Sequence, residues 1–432
     1  MATLQESMKL LKELLQEKNV DHALCSVGES TVQELTYEHG ECSLLRTLYD
    51  QNMGITIIKG QKQGTTLTTG IDETSLRNAI DTALTSAEAS DADEDYALAE
   101  TQEPLTLTTG VLTPDMEKLL ERVKELGDEI TKKFPKVQLM QIMATHVYSH
   151  RLTHNTHGGD GDFQNGYYTL DLEFAGHEGD TTASLNGHSI SFLSLDTPLI
   201  ELDGVRATLK SSEDELNLTR FEGKFTGKVI FTPACARQIL GYTVNSLASN
   251  RALLSKTGPW IDKLDKKVAS DSLTLKFVPT DERILDKSFI TQDGYWAKDY
   301  VMIEKGILKQ FDCNLYTAKK IGASCAPNDG EGMIIEAGSA SLADIIKNTD
   351  RGLLVGAVAA GTPGGNGEMS GVAKNCFYIE KGEIKGAVNE TMISMNLAEI
   401  MNHVDSISSD VWNTGSYSLP YICFDEIAIS SK

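Results

Sequence analysis

The sequence predicts an α+β chain: an N-terminal domain of helices on a mixed sheet, then a largely β C-terminal domain whose sheet is curled or barrel-like. Three observations carry this. Amphipathic helical patterns flank four strand-like runs near the N-terminus, short strand-like runs recur with few long helices beyond residue 137, and one strand-turn-strand phrase occurs twice. The domains are expected over 1–215 and 216–432, with an acidic loop at 88–104.

Thr3 is placed to cap a first helix, with Glu6 completing a capping box and Leu4, Met8, Leu11 and Leu15 on one face. Strand-like runs follow at 21–28, 31–39, 42–49 and 53–59, with Gly28-Glu29-Ser30, His39-Gly40 and Gln51-Asn52 as turn material. Asp72 caps a second helix whose stripe is Leu76, Ala79, Ile80, Ala83 and Leu84. Glu88 to Glu103 carries seven acidic residues, which reads as a solvated loop or linker. Thr113-Pro114 reads as an N-cap followed by proline at the first helical position, and the helix stops before Pro135.

Strands are expected next at 137–145, 147–155, 166–175, 188–195, 204–210, 224–231, 273–278 and 299–304, with helices after Thr232-Pro233 and after Ser339. The repeated phrase runs from Val301 through Glu304-Lys305-Gly306 to Lys309, and from Phe377 through Glu380-Lys381-Gly382 to Lys385. In both copies glycine supplies the positive φ of a hairpin turn. Between them lies the Gly-rich passage 356–371, where backbone is expected to pass close to a ligand or to another strand.

The formal charge of −23 argues against a nucleic-acid surface, because phosphate binding depends on lysine and arginine releasing counterions. No basic segment followed by an apolar one opens the sequence, and no apolar run approaches a membrane span. A soluble, cytoplasmic protein without a membrane partner is therefore expected. The seven cysteines are dispersed without a CxxC pair and read as reduced thiols.

Five histidines fall close together: His146, His150, His154, His157 and His177. On one strand, His146, His150 and His154 share a face, yet His146 and His150 stand about 13 Å apart, too far to share one zinc without a bulge. His157-Gly-Gly-Asp160-Gly-Asp162 mixes imidazole and carboxylate on a loop and is the better metal candidate. A solvated sheet face with turn chemistry is the alternative. No HExxH or GxSxG occurs.

Taken together these pieces resemble the TldD/PmbA family, bacterial and archaeal peptide-processing proteins once described as modulators of DNA gyrase. The likeness spans nearly the whole chain. It rests on Met53-Gly-Ile-Thr-Ile-Ile-Lys before the Asp72 helix, Arg151-Leu-Thr-His-Asn155-Thr-His-Gly158, Val229-Ile-Phe-Thr-Pro233, and Asp293-Gly294 ahead of Ile303-Glu-Lys-Gly-Ile-Leu308. It continues through Gly352-Leu-Leu-Val355, Tyr378-Ile-Glu-Lys-Gly-Glu-Ile384 and Ile393-Ser-Met-Asn396.

In the catalytic branch of that family the helix after the proline carries HExxxH, two zinc histidines around a glutamate base. Those places fall here on Gly241, Tyr242 and Ser246, none of which replaces an imidazole or a carboxylate. The chain therefore resembles the PmbA or TldE-like branch. The resemblance implies a noncatalytic subunit that holds no zinc, a TldD-like partner that supplies it, and an unfolded or leader peptide as substrate. Alone, the chain is expected to be inactive and homodimeric, with its main interface in the C-terminal half. Gly364, Gly365 and Asn366 are candidate peptide-cleft residues, because they allow close approach of an extended peptide. Two other readings stay open: an autonomous divergent metallopeptidase using His146, His150, His154, His157, Asp160 or Asp162, and a noncatalytic peptide-binding scaffold.

Overall fold

A computed structural model describes residues 2–431. It is an α+β fold built on two sheets. The first region runs α1 (Leu4–Glu17), β1 (His22–Glu38), β2 (Glu41–Lys59), β3 (Lys62–Thr69), α2 (Glu73–Ala89), β4 (Leu105–Gly110), α3 (Met116–Lys133), β5 (Val137–Asn155), β6 (Asp160–Glu178), β7 (Thr181–Phe192) and α4 (Val205–Asp214). Its strands form one curled sheet in the order β3-β2-β1-β5-β6-β4, with β7 also paired to β6.

The capping box of α1 forms as its sequence dictates: Thr3 Oγ1 accepts from the Glu6 N–H, and Glu6 Oε2 accepts from the Thr3 N–H. Leu4, Met8, Leu11, Leu14 and Leu15 are then buried against the α2 stripe and against Ala23, Cys25, Val27, Met53, Ile55 and Ile57 of the sheet. Removing side chains of this size from water contributes roughly 1.5–3 kcal/mol each. That burial holds both helices to one half of the sheet, and α3 covers the other half.

The expected turn at His39-Gly40 forms between β1 and β2, but the two at Gly28-Glu29-Ser30 and Gln51-Asn52 are absent. Gly28-Glu29-Ser30 lies in the middle of β1, paired with Asn52-Gln51-Asp50 on one side and Arg151-His150-Ser149 on the other. Four expected strands are thus two long ones, and 137–155 is likewise a single strand. A strand hydrogen-bonded on both edges satisfies its backbone whatever its side chains, which overrides weak turn signals. The helix expected from Thr113 begins two residues later, because Asp115 is the cap and its own N–H donates to the Tyr168 hydroxyl. The segment 204–210, expected as a strand, belongs to α4, whose Val205, Leu209 and Ser212 are buried at helical spacing.

The second region contains β8 (Lys224–Phe231), α5 (Pro233–Leu247), α6 (Asn250–Ser255), β9 (Leu275–Phe277), β10 (Tyr300–Glu304), β11 (Ile307–Leu308), α7 (Leu315–Ile321), β12 (Met333–Ile334), α8 (Leu342–Lys347), β13 (Arg351–Ala360), β14 (Glu368–Glu380), β15 (Glu383–Ala387), β16 (Met392–Asn396), α9 (Leu397–Ile400), β17 (Val404–Asn413) and β18 (Tyr417–Ser430). Strands β18, β16, β14, β13 and β8 pair in that order, and β8 pairs back to β18, which closes a barrel. Only β8 and β13 run parallel within it.

Both copies of the repeated phrase are two-residue hairpin turns. Lys305 and Gly306 have φ of 45° and 79°, and Lys381 and Gly382 have 52° and 77°. Each glycine also sits where a Cβ would press on backbone, 2.3 Å from the Ala269 carbonyl oxygen at position 306 and 2.5 Å from that of Lys347 at position 382. Among the described residues no helix is long and apolar enough to cross a membrane.

The acidic segment is more ordered than its composition suggests. Leu98 and Ala99 are buried, and Ala99 bridges the two regions: its N–H donates to the Asp293 carbonyl while its own carbonyl accepts from Asn155 Nδ2. Gln102 completes the strap, donating to the Gly294 carbonyl and accepting from the Trp296 N–H.

Candidate functional site

Helix α5 leaves the barrel directly after β8. Thr232 caps it by accepting from the Cys235 N–H, and Pro233 occupies the first helical position. Cys235, Ala236, Ile239, Leu240, Val244 and Leu247 are buried in the same core as Val229, Phe231, Leu353, Val355, Ile422 and Phe424. With that stripe committed to packing, the opposite face presents Arg237, Gly241, Asn245 and Ser246 outward, and Tyr242 is partly buried at its margin against the core.

Two clefts open along this face. One, of about 550 Å³, lies between the two sheets and is lined by β1 and β5 around Gly28 and Arg151, by Arg237 near the start of α5, and by the segments 286–290 and 330–333. The other, of about 480 Å³, lies at the far end of α5, where Asn245 and Ser246 face Thr257, Pro363, Gly365 and Asn366. Arg237 and Ser246 are nine residues apart on the helix, a rise of roughly 13 Å.

The loop between β13 and β14 that carries Gly364, Gly365 and Asn366 is held in place by its own backbone. The Gly364 N–H donates to the Glu368 carbonyl, and the Asn366 and Gly367 carbonyls accept from Asn396 Nδ2 and the Leu397 N–H at the start of α9. A Cβ on Gly365 would stand 3.3 Å from Thr257 Oγ1, so this glycine keeps the cleft open at its narrow side. Sequence reasoning singled out this loop without seeing that it faces Ser246.

Gly241, Tyr242 and Ser246 do not fit a zinc ion. Gly241 offers no ligand atom, and the Tyr242 hydroxyl is 3.5 Å from Gln238 Nε2, whose amide is engaged with the backbone of Val358. Neither a phenol nor an aliphatic hydroxyl supplies the nitrogen, thiolate or carboxylate donors that zinc selects. Among the described residues, no group of three or more His, Cys, Asp or Glu side chains is placed to hold a metal ion.

The histidine segment is divided among separate tasks. His146 is buried, with Nε2 2.6 Å from the Val111 carbonyl and its ring edge-on to Tyr168, and burial holds the imidazole below its ordinary pKa. His150 pairs with Asp162 at 2.8 Å. His154 pairs with Asp160 at 2.7 Å, and Asp160 is also held by Lys12 of α1 at 2.8 Å. His157 Nδ1 is 2.9 Å from the Ala99 carbonyl, and its Nε2 meets His22 Nδ1. The structure thus brings His150 to Asp162 and His154 to Asp160 as pairs, and it keeps His146 and His157 apart from both.

Sequence reasoning missed the cationic lining of the cleft between the sheets. Arg151, Arg237 and Lys287 come from β5, α5 and the loop before β10, so no local pattern links them.

An open curled sheet strapped to a small closed barrel, with a helix running off its first strand beside two clefts, defines a two-sheet α+β protein of the kind seen in TldE from Thermococcus kodakarensis. That structure superposes with a TM-score of 0.81 at 22% identity, covering 98% of this chain and 100% of that one. Residues 223–431 match the PmbA/TldA metallopeptidase C-terminal domain. The chain is 23% identical over 402 residues to the metalloprotease PmbA homolog of Haemophilus influenzae, covering 89% of this chain and 86% of the relative. It is 22% identical over 446 residues to metalloprotease PmbA of Escherichia coli O157:H7, covering 99% and 96%. Together these matches support a member of the TldD/PmbA family.

Proposed function

We propose that this chain is the noncatalytic, PmbA/TldE-like subunit of a TldD/PmbA-type zinc metallopeptidase that cuts unfolded or leader peptides. The observation that carries the reading is the outward face of α5 and its margin, where Gly241, Tyr242 and Ser246 offer no set of zinc donors and no carboxylate base. Amide hydrolysis needs an activated water and a polarised carbonyl. The zinc then belongs to a TldD-like partner, and this chain's part is to bind and align the peptide. The roughly 13 Å of helix between the two clefts is the length of about four extended residues, which suits one peptide strand lying along α5.

An autonomous metallopeptidase finds less support, since His150 and His154 each pair with a carboxylate of their own, and His146 and His157 engage backbone carbonyls. In isolation the chain is expected to be a homodimer that exchanges one copy for the partner. Among the described residues the outer edge of β2 at Glu41–Asp50, in the first sheet and not in the C-terminal half expected above, has no strand beyond it, and Leu45 and Tyr49 there are 66% and 79% exposed. Such an edge favours a covering subunit.

The test is cleavage of a disordered leader-like peptide, read by mass spectrometry, with this protein alone, a TldD-like protein alone, and the two mixed. The mixture is expected to cut and to lose activity with a zinc chelator, while this protein alone leaves the peptide whole. Chelator-sensitive cleavage by this protein alone would overturn the proposal, and a mixture no more active than its parts would favour a peptide-binding scaffold.

A further inference from the structure

In a chain of net charge −23, three cations converge on the cleft between the sheets, none of them in a hydrogen-bonded ion pair among the described residues, although Arg151 feels the Glu331 carboxylate and Lys287 those of Asp281 and Asp299. Arg151 is exposed on the strand face opposite His150, because side chains alternate along β5, and it makes no side-chain hydrogen bond or ion pair among the described residues. Arg237 projects from α5 with its guanidinium 6.0 Å from the Tyr417 ring centre and its Nη1 beside Gly241, 3.5 Å from where a Cβ would stand. Lys287 is half-buried, with a single 3.5 Å contact to the Asp281 carbonyl oxygen.

The acidic groups that line the same cleft are already engaged. Glu331 Oε2 accepts from the Ser288 N–H at 2.7 Å, Asp286 Oδ1 accepts from the Tyr167 hydroxyl at 3.1 Å, and Glu29 lies 3.9 Å from His150 Nδ1. Elsewhere on this chain lysines and arginines take up nearby carboxylates, as Lys12 does with Asp160 and Lys320 with Asp93. Three basic side chains in one concave site, on three separate elements and without a hydrogen-bonded carboxylate among the described residues, are positioned to receive an anion from outside.

We infer that the cleft is a subsite for carboxylate groups of the bound peptide, so that Arg151, Arg237 and Lys287 select acidic peptides or a free peptide C-terminus. This rests on the peptide-binding reading above and adds a substrate class to it. A peptide is favoured over nucleic acid because the chain's overall charge repels a polyanion, and because Glu29, Asp286 and Glu331 in the walls would face successive phosphates. A peptide with isolated carboxylates avoids those walls. Its remaining length continues along α5 toward Gly365.

The experiment measures fluorescence anisotropy of a short, labelled, disordered peptide carrying two well-separated aspartates, titrated with the full chain. Replacing the aspartates by asparagine in one arm, and amidating the C-terminus in the other, tells side-chain from terminal carboxylate. Loss of about tenfold in affinity in at least one arm is expected, together with weakening at higher salt. Arg151→Gln and Arg237→Gln should each weaken the acidic peptide about fivefold and leave the asparagine or amidated peptide unchanged. Lys9→Gln, which removes the same charge from α1, should bind as the wild type does, and melting curves check that all variants are folded. Affinity equal in both arms and in both arginine variants overturns the inference while leaving peptide binding intact. Tighter binding of a single-stranded oligonucleotide of the same length also overturns it, and failure to bind any peptide removes both readings.

Discussion

Lys320 Nζ lies 2.8 Å from Asp93 Oδ1, joining the barrel half to the acidic strap that crosses from the first sheet. The same ammonium reaches Asp95 Oδ2 at 2.8 Å, the Tyr316 hydroxyl donates to Asp93 Oδ2, and the Tyr96 and Tyr316 rings stack at 5.0 Å. The acidic run therefore does not simply repel itself into solvent. One helix, α7, gathers Asp93 and Asp95 and fixes the strap there.

Lys320→Ala should loosen the strap without unfolding the protein. Surface ion pairs add little to global stability, so the melting temperature should hardly move, whereas protease cutting between residues 90 and 104 should rise severalfold. The lysine hydrogen bond holds the Asp93 carboxyl down to about 2 from an ordinary 3.8. A depressed carboxyl contributes above its ordinary value, and the contribution is lost as pH falls through about 2. The variant should accordingly be cut faster than wild type at pH 3 with pepsin as well as at pH 7 with a neutral protease. Equal cutting rates at both pH values would show that the clamp does not hold the strap.

Glu215 should make stability fall as pH rises from about 4.5 to about 7. It is 7% exposed, its Oε1 has no hydrogen-bond partner, and burial raises its carboxyl from 4.5 to about 7. Between those values the folded state holds a proton that the unfolded chain has released. The sign is therefore a loss of stability with rising pH, on the order of 3 kcal/mol. Glu215→Gln should narrow the difference between melting temperatures at pH 5 and pH 8. Some slope should remain, because burial also raises Asp293 and Asp312, each to about 6. An unchanged difference in the variant would refute the assignment.

Gly365→Trp should block the cleft at the end of α5. The indole would project into the cleft of roughly 480 Å³, where Thr257 Oγ1 already stands 3.3 Å from the position of its Cβ. Cleavage by the mixture of this chain and a TldD-like partner should fall about tenfold or more, because the displaced peptide loses its alignment. The melting temperature of the variant alone should stay near that of wild type. Full activity of the mixture would place the peptide path elsewhere.

Elements whose signal is local were the most legible in the sequence. The Thr3 and Asp72 caps, the helix after Pro233 and the two Glu-Lys-Gly hairpins depend on a few adjacent residues, and each formed where the pattern placed it. Strand length was not legible. Gly28-Glu29-Ser30 carries good turn chemistry, and only the two neighbouring strands, invisible in a local window, keep it extended. Barrel closure was equally hidden, because it depends on Phe231 meeting Ile422. At the candidate site, the three family positions on α5 could be counted from Pro233. The convergence of Arg151, Arg237 and Lys287 could not, since the fold alone brings those elements together.

Closure through β18 also sets a schedule for synthesis. Phe231 finds its place against Ile422 only after everything between them has left the ribosome, and at roughly 5–20 residues per second that delay is on the order of ten seconds or more. During that interval β8 has an open flank rich in Val229, Ile230 and Phe231, all fully buried once the ring is complete. A nascent chain paused before Tyr417 thus displays a sticky half-ring, a ready client for a chaperone that binds extended apolar segments.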